Sequence, residues 1–192
     1  MCMPDTARRW TRAEVLALPD DGNRYELLDG DLLVTPSPNV THQRAVMALY
    51  KRIYPYVDQH GFGEVLAAPA DLDFRSDQLL QPDLFVVVPP AAGAFPPEWS
   101  EFGIPLLVVE VLSPSTASSD RNRKRIRYQK SGVAEYWIVD TDARLIERWR
   151  PEDKRPEIVT DRIEWRPAPN LASLGIDLPD YFREVWREKS LS

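Results

Sequence analysis

The chain has 192 residues, of which 43% are hydrophobic and 28% charged, as in a single globular domain with a core of its own. The formal net charge of −6 argues against a protein that coats nucleic acid, and no apolar run is long enough to cross a bilayer. The first residues, MCMPDTARRW, lack the apolar segment of a secretory signal, and the single cysteine, Cys2, has no partner for an internal disulfide. We therefore expect a cytoplasmic protein with no membrane association.

Residues 1–23 are expected to form an N-terminal extension with one short helix. Thr11 and Glu14 have the spacing of a capping box, in which each side chain bonds the other residue's backbone amide. The stretch RYELLDGDLLV follows and predicts two short strands joined at Asp29 and Gly30, because Asp-Gly favours a tight hairpin turn.

A long helix is predicted next. Asn39 is a natural N-cap, and apolar residues recur at helical spacing after it, at Val46, Leu49 and Ile53. Pro55 is expected to kink or end this helix, because proline has no amide hydrogen and its ring clashes with the preceding turn.

The middle of the chain predicts strands around EVLAA, DLDF and LFVVV, with turns at Pro69 and near Ser76. The proline-rich stretch 89–105 predicts an extended surface loop that borders a site. The strand LLVVEVL, residues 106–112, is so apolar that both of its faces must be covered. A basic helix should follow, capped by Ser119 or Asp120 and ended by Gly132.

The rest of the chain predicts strands at EYWIVD, ARLIERWR and EIVTDRIEW, and then a closing helix, LPDYFREVW, with Pro179 near its first turn. This order of elements predicts an α/β fold with a central mixed sheet flanked by helices, an additional N-terminal hairpin and additional C-terminal strands. We expect one domain over residues 1–192.

Two carboxylates fall where charge is expensive. Glu110 lies in the buried strand, and Asp83 lies at the start of another apolar strand, QPDLFVVVP. If these strands are neighbours, the two carboxylates meet at one end of the sheet, and a divalent cation would relieve their repulsion. A buried Glu can instead pair with an Arg or Lys, and an Asp before a strand is often only a turn residue. Both interpretations stay open at this point.

Six stretches in this order resemble the Uma-two (Uma2) family of the restriction-endonuclease-like PD-(D/E)XK superfamily. They are YELLDGDLLV, PSPNVTHQRA, QPDLFVVVP, LLVVEVLSPST, the D-x-x-x-K-x-x-x-Y of Asp120, Lys124 and Tyr128, and GVAEYWIVD. The resemblance runs from about Arg24 to the C-terminus and depends on order and spacing. It implies a restriction-endonuclease-like fold and a DNA endonuclease that uses Mg²⁺ or Mn²⁺.

The same resemblance implies roles for single residues. Asp83 and Glu110 would bind the metal, with the carbonyl of Val111 as a further ligand. The superfamily has a lysine two residues after the glutamate, but Leu112 stands there in this chain. Lys124, on the following helix, matches the position to which that lysine has moved in the family, and it would orient water or offset charge on the phosphate. Without the resemblance, Lys124 is equally a solvated helix lysine or a salt-bridge partner of Asp120.

Several further residues have two interpretations each. Glu26 is either a metal ligand or a surface carboxylate, and Tyr128 either supports the site or packs under the helix. His42 falls on the apolar stripe of the long helix, where a hydrogen-bonded core residue is the commoner role. Gln81 is a candidate contact of a metal-bound water. The arginines of the basic helix are either phosphate contacts or a solvated face, and they are Arg121, Arg123, Arg125 and Arg127.

The sequence thus predicts a metal-dependent DNA endonuclease. The alternative is a catalytically inactive nucleic-acid-binding or interaction module that retains the nuclease fold, and Leu112 keeps that alternative open. A homodimer is also possible, with the strands that carry Trp149 and Trp165 at the subunit interface.

Overall fold

The computed structural model describes residues 8–72, 78–90 and 102–188. The helices and strands in these stretches are, in chain order, α1 (Arg12–Leu16), β1 (Arg24–Leu28), β2 (Asp31–Thr35), α2 (Val40–His60), β3 (Glu64–Ala67), β4 (Gln78–Leu79), β5 (Leu84–Val87), β6 (Leu107–Val111), α3 (Ala117–Ser119), α4 (Arg125–Ser131), β7 (Glu135–Asp140), β8 (Leu145–Trp149), β9 (Glu157–Val159), β10 (Arg162–Trp165), β11 (Leu174–Asp177) and α5 (Leu178–Trp186). A π-helical turn, Asp120–Lys124, joins α3 to α4. Over these described stretches no helix is both long and apolar enough to span a membrane.

A six-stranded mixed sheet with the order β3-β5-β6-β7-β8-β9 forms the centre of the fold. Strands β6 and β7 run parallel, and the other neighbouring strands run antiparallel. The connection between the two parallel strands carries α3, the π-helical turn and α4. The predicted α/β fold with a central mixed sheet flanked by helices is confirmed.

The pairing of β5 with β6 brings the two acidic positions to one place. Leu84 pairs with Val109 in this antiparallel ladder, so the next position on each strand puts Asp83 beside Glu110. All five residues of β6 are buried, as expected for a strand covered on both faces.

Each face of the sheet has its own apolar layer. On one face α2 and α5 pack over the strands, in a cluster that includes Leu49, Ile53, Trp137, Trp165 and Phe182. On the other face the cluster joins Tyr128 of α4 and Leu28 of β1 to the sheet residues Phe85, Val108 and Tyr136. The site described below lies at an end of the sheet where α2, α4 and the N-terminal hairpin come together.

Local sequence signals determine the N-terminal elements. The capping box of Thr11 and Glu14 is present at the start of α1. Asp29 and Gly30 form the turn between β1 and β2 with φ angles of 59° and 81°, the left-handed conformation that this turn requires. Strand β4 extends the hairpin to a three-stranded sheet, β2-β1-β4.

Helix α2 begins at its predicted cap and continues past Pro55. Asn39 caps it, since its side chain accepts a hydrogen bond from the His42 amide, and Gly61 ends it in the left-handed conformation. Pro55 does not end the helix, which continues to His60. The residues on both sides of the proline, Ile53 and Tyr56, are buried in the core, and their burial outweighs the missing hydrogen bond.

The basic helix starts earlier than predicted. Ser119 and Asp120 are not caps; both have helical backbone angles, and the first helical residue is Ala117. The π-helical turn then follows, a feature that is frequent at functional sites. Gly132 ends α4 in the left-handed conformation, as predicted.

The C-terminal prediction was incomplete. The stretch EIVTDRIEW forms two strands in different sheets: β9 is an edge of the central sheet, and β10 pairs with β11, which the sequence did not predict. Helix α5 has Asp177 as its N-cap and Pro179 in its first turn. Trp149 and Trp165 are buried within the chain. That their strands form a subunit interface stays a prediction.

Two predicted segments are only partly described. Of the strand DLDF, Leu72 forms an isolated bridge with Leu80, while the end of that stretch and the turn near Ser76 lie outside the described residues. The same holds for positions 91–101 of the proline-rich loop.

Candidate active site

Asp83 is a buried carboxylate whose two oxygens both have partners. Arg24 Nη1 donates to Asp83 Oδ1 at 2.9 Å. The Val111 amide donates to Asp83 Oδ2 at 2.8 Å, and His42 Nε2 lies 3.0 Å from the same oxygen. Three elements therefore meet at this side chain: β1 through Arg24, α2 through His42 and β6 through Val111.

Glu110 is held by the helix that follows its strand. Its Oε1 atom accepts hydrogen bonds from Lys124 Nζ at 3.0 Å and from the Tyr128 hydroxyl at 3.2 Å. Both donors belong to the helical segment between β6 and β7, so the chain that leaves β6 folds back and covers its own carboxylate.

Lys124 lies among three carboxylates. Its ammonium nitrogen is 2.8 Å from Glu26 Oε2, 3.0 Å from Glu110 Oε1 and 3.4 Å from Asp120 Oδ1. All four side chains are buried. The lysine on the helix thus reaches the glutamate of the strand, which the spacing of the sequence allowed but did not establish.

The electrostatics of the two strand carboxylates differ. Burial acts to raise the pKa of Asp83, but the contacts with His42, Arg24 and the Val111 amide lower this pKa to about 2. Burial raises the pKa of Glu110 well above its usual value; Lys124 opposes this rise, and repulsion from the neighbouring carboxylates, Asp83, Asp120 and Glu26, adds to it. Asp83 is therefore held as an anion, whereas the charge on Glu110 is unfavourable in the site as it stands.

The residues around Glu110 show the same competition. Burial disfavours the Lys124 ammonium, yet Glu110, Glu26 and Asp120 raise the pKa of Lys124 well above its usual value. Burial also raises the pKa of Asp120 and, much more strongly, that of the Tyr128 phenol. The lysine stays charged and the phenol stays a hydrogen-bond donor.

Asp83, Glu110 and Val111 all line one cavity of about 170 Å³. The Val111 amide points to Asp83, and the amide and carbonyl of one strand residue face the same neighbouring strand, so its carbonyl belongs to this edge as well. Two carboxylates and a backbone carbonyl are the hard oxygen donors that Mg²⁺ or Mn²⁺ takes, with water and a substrate phosphate completing the shell. The donor chemistry of the cavity fits a divalent cation.

The described residues do not, however, hold a preformed cluster of metal ligands. Within residues 8–72, 78–90 and 102–188 no group of three or more His, Cys, Asp and Glu side chains is arranged to hold a metal ion. The acidic side chains are instead paired with basic ones: Arg24 and His42 contact Asp83, and Lys124 contacts Glu26 and Glu110. A cation at this site must exchange with these contacts.

Of two further candidate residues, His42 lines the cavity and Gln81 does not. His42 also contacts Asp83. The Gln81 side chain points away, since its amide donates to Asp71 Oδ1 at 2.6 Å, but its backbone amide donates to Glu26 and its carbonyl accepts from Arg24. The main chain of Gln81 therefore contacts Glu26 directly and Asp83 through Arg24.

The four arginines of the basic helix all contact other parts of the protein. Arg121 pairs with Asp140 and Glu147, Arg123 with Asp31, and Arg127 with Asp29. Arg125 bonds Gln129 and lies over the Trp149 ring at 4.4 Å. They attach α4 and the π-helical turn to the hairpin and to the sheet, and contact with phosphate would compete with these bonds.

Two residues of the site were missed as site residues in the sequence. Arg24 was noted only as the start of the matching region. It lies two positions before Glu26 in β1, and residues two apart in a strand share one face, which was the available signal. Asp120 was interpreted as a helix cap, as part of the stripe with Lys124 and Tyr128 and as an alternative partner of Lys124, but not as a site residue; it is buried against Lys124. The i, i+4 spacing of Asp120 and Lys124 was the available signal.

Comparison with known proteins identifies relatives of this chain. A family model described as "Uma2: Putative restriction endonuclease" matches residues 12–179. The chain is also similar to the crystal structure of a putative nuclease belonging to DUF820 from Anabaena variabilis ATCC 29413, with a TM-score of 0.73 and 19% sequence identity, over 92% of this chain and 99% of that one. At this identity the likeness shows a shared fold, and the predicted restriction-endonuclease-like fold is confirmed. No curated protein matches the chain.

Proposed function

Because this chain belongs to the Uma2 family, we propose that it is a metal-dependent endonuclease that hydrolyses phosphodiester bonds in DNA. One observation carries the proposal. Asp83, just before β5, and Glu110, on the adjacent antiparallel strand β6, line the same cavity, and Lys124 contacts Glu110 from outside that cavity. Two carboxylates and a lysine are the groups that metal-assisted phosphodiester hydrolysis needs.

In the proposed mechanism Asp83, Glu110 and the Val111 carbonyl hold Mg²⁺ or Mn²⁺, with Glu26 as a further carboxylate. When bound, the ion polarises the scissile phosphate and lowers the pKa of a water molecule. Arg24 and His42 fix the orientation of the Asp83 carboxylate through the contacts at 2.9 and 3.0 Å. Lys124 and Tyr128 do the same for Glu110.

Lys124 has the second role in the proposal. Its ammonium is a buried positive charge beside Glu110, so it can offset the negative charge that develops on the phosphate. If Glu26 and Glu110 were to hold a cation, Lys124 would lose two of its carboxylate partners, and its ammonium would be available to the substrate phosphate. Arg121, Arg123, Arg125 and Arg127 are proposed to contact the DNA backbone by exchanging their protein carboxylates or amides for phosphates.

A second candidate function is a non-catalytic nucleic-acid-binding or interaction module that retains the nuclease fold. The observation in its favour is that Lys124 already pairs with both Glu26 and Glu110, at 2.8 and 3.0 Å. If this pairing is permanent, a divalent cation has no advantage at the site and no reaction follows. Metal binding therefore distinguishes the two functions.

The deciding experiment is nicking of supercoiled plasmid DNA with Mg²⁺ or Mn²⁺. We expect the wild type to nick and both Glu110→Gln and Lys124→Met to lose nicking. Glu135→Gln is the matched control, because Glu135 is also a partly buried carboxylate of a sheet strand but pairs with Arg148 and Trp137 away from the cavity. Calorimetric titration of Mn²⁺ accompanies the assay, and wild-type protein that neither binds Mn²⁺ nor nicks would favour the non-catalytic module.

Oligomeric state is the remaining part of the proposal. Nucleases that cut both strands commonly act as two copies, and a homodimer is proposed here. The side chains of Trp149 and Trp165 are buried inside the subunit, so other residues of the C-terminal strands would make the contact. Sedimentation velocity over a range of concentrations tests this: a single monomer species at all concentrations would contradict it.

A further inference from the structure

A second cavity, of about 370 Å³, lies beside the carboxylate cavity. We call it the side groove. The two cavities share a wall, and the residues that line both are Arg24, Pro36, Ser37, Pro38, His42 and Asp83. Anything bound in the side groove is therefore next to whatever is bound between Asp83 and Glu110.

The walls of the side groove are apolar surfaces with amide groups at intervals. Helix α2 contributes Val46 and the exposed side chain of Met47, and proline rings face it from other segments, at Pro36, Pro38 and Pro69. The side-chain amide of Gln43 lies one turn before Met47 on the exposed side of α2, and Asn23 lines the groove from the start of the hairpin.

Charge decides which part of a nucleotide fits there. Among the residues that line the side groove, the guanidinium of Arg24 is already bonded to Asp83, and Asp20 adds a second carboxylate. The two carboxylates outnumber the one guanidinium, so they would repel a phosphate but not an uncharged planar ring. A base taken out of its stack can pack between apolar side chains and form hydrogen bonds with side-chain amides along its edge.

We propose that the side groove binds one nucleobase of the nucleotide that adjoins the scissile phosphate. This inference rests on the proposed nuclease function, because it takes the phosphate to lie in the carboxylate cavity. The groove has the volume usual for a ligand pocket, about 300 Å³ or more. A base can enter it only when it is out of the duplex stack, so the protein acts on single-stranded or locally unpaired DNA, or extrudes a base from the duplex.

The test compares two single-stranded probes with the same number of phosphates. One is fluorescein-labelled oligothymidylate, and the other is an oligomer of the same length made of abasic nucleotides. Binding is followed by fluorescence anisotropy, once in EDTA and once with Ca²⁺. Since both probes carry the same charge, a difference in affinity reports the bases alone. We expect the wild type to bind oligothymidylate roughly tenfold more tightly than the abasic oligomer.

Three variants of α2 assign that preference to the groove. Met47→Glu should bring the ratio of the two affinities to about one, because the new carboxylate removes the apolar wall. Met47→Leu should keep the wild-type ratio. Tyr54→Glu is the matched control, since Tyr54 is exposed on the same helix, seven residues further on, and does not line the groove.

The possible failures are distinct. A wild-type ratio near one, or a ratio that Met47→Glu leaves unchanged, overturns the base site and leaves the proposed nuclease function standing. If the wild type binds neither probe and nicks no plasmid, the nuclease function fails and the base site fails with it.

Discussion

The Lys124 ammonium lies 3.0 Å from Glu110 Oε1, and both side chains are almost completely buried. Glu110 lies in strand β6, and Lys124 lies in the π-helical turn that follows it. The pair therefore connects the two elements that carry the site. Since Glu26 and Asp120 also face the ammonium, there are three carboxylates for one positive charge. Burial and the repulsion between these carboxylates raise the pKa of Glu110, so a further cation would favour its charged form.

Lys124→Met should therefore destabilise the protein strongly in EDTA. The variant leaves buried carboxylates without their cation, and breaking a buried pair in this way costs about 3–5 kcal/mol in the free energy of unfolding. Added Mn²⁺ should restore more stability to the variant than to the wild type, because the ion replaces the missing charge. Urea unfolding with and without Mn²⁺ measures both effects.

Lys51→Met is the control for this prediction. Lys51 also pairs with a glutamate at 3.0 Å, but its side chain is 64% exposed, and such surface pairs contribute less than about 1 kcal/mol. Equal losses of stability in the two variants would contradict this prediction, because they would show that burial adds nothing to what the Lys124 pairs contribute to the free energy of unfolding.

Glu110→Gln should have the opposite effect on stability in EDTA. The folded-state pKa of Glu110 is raised above its usual value of 4.5 by burial, so the wild type loses stability as pH rises above this value. The neutral glutamine avoids that loss, and at pH 7 we expect a gain on the order of 1 kcal/mol in the free energy of unfolding.

The measurement is urea unfolding of both proteins from pH 5 to pH 8, and the gain should grow with pH. Mn²⁺ should stabilise the wild type and not the variant, since the variant lacks a metal ligand. A variant that is less stable than the wild type across this range would mean that the charged Glu110–Lys124 pair is a net stabilising contact.

Local signals in the sequence predicted the parts of the fold that depend on neighbouring residues. The capping box at Thr11 and Glu14, the Asp29-Gly30 turn and the Asn39 cap are each satisfied within a few residues of the chain. The buried strand around Glu110 was predictable for the same reason, because a continuous apolar run is typical of a strand covered on both faces.

Features that depend on distant residues were not predictable in this way. The side chain of Arg24 bonds Asp83, 59 positions further on, because the three-stranded sheet that contains β1 meets the central sheet beside β5. The π-helical turn places Asp120 and Lys124 around Glu26, which belongs to the hairpin. Strand β11 contains Gly175 and forms only as the partner of β10. No single segment carries these relationships.

Asp83→Asn should show a loss of stability that depends on pH. The folded-state pKa of Asp83 is lowered to about 2 from its usual 3.8, so its charged form contributes stability above pH 3.8, and this contribution is lost as pH falls toward 2. The shift corresponds to roughly 2 kcal/mol at neutral pH.

Urea unfolding in EDTA at pH 7, 5, 4 and 3 tests this prediction. The difference between the wild type and Asp83→Asn should shrink between pH 4 and pH 3. Asp142→Asn, at an exposed position, should change stability by less than about 0.5 kcal/mol at any of these values. A difference that does not vary with pH would show that Asp83 acts through its shape and not through its charge.

Pro55→Ala should stabilise the protein. Pro55 lies inside α2 with an exposed side chain, and it cannot donate the amide hydrogen bond that residue 51 would accept. Proline is about 3 kcal/mol less favourable than alanine inside a helix, although proline also restricts the unfolded chain, which offsets part of this difference. We expect a gain of about 1–2 kcal/mol in the free energy of unfolding, measured by urea titration.

Asp58→Ala, at another exposed position of α2, is the control and should change stability by about 0.5 kcal/mol or less. Nicking activity should not change, because Pro55 lies more than three helical turns from His42. If Pro55→Ala instead lowers the free energy of unfolding, the packing of Ile53, Tyr56 and Val57 against the sheet requires the backbone that proline imposes, and the helix continues through residue 55 because of that packing and not in spite of the proline.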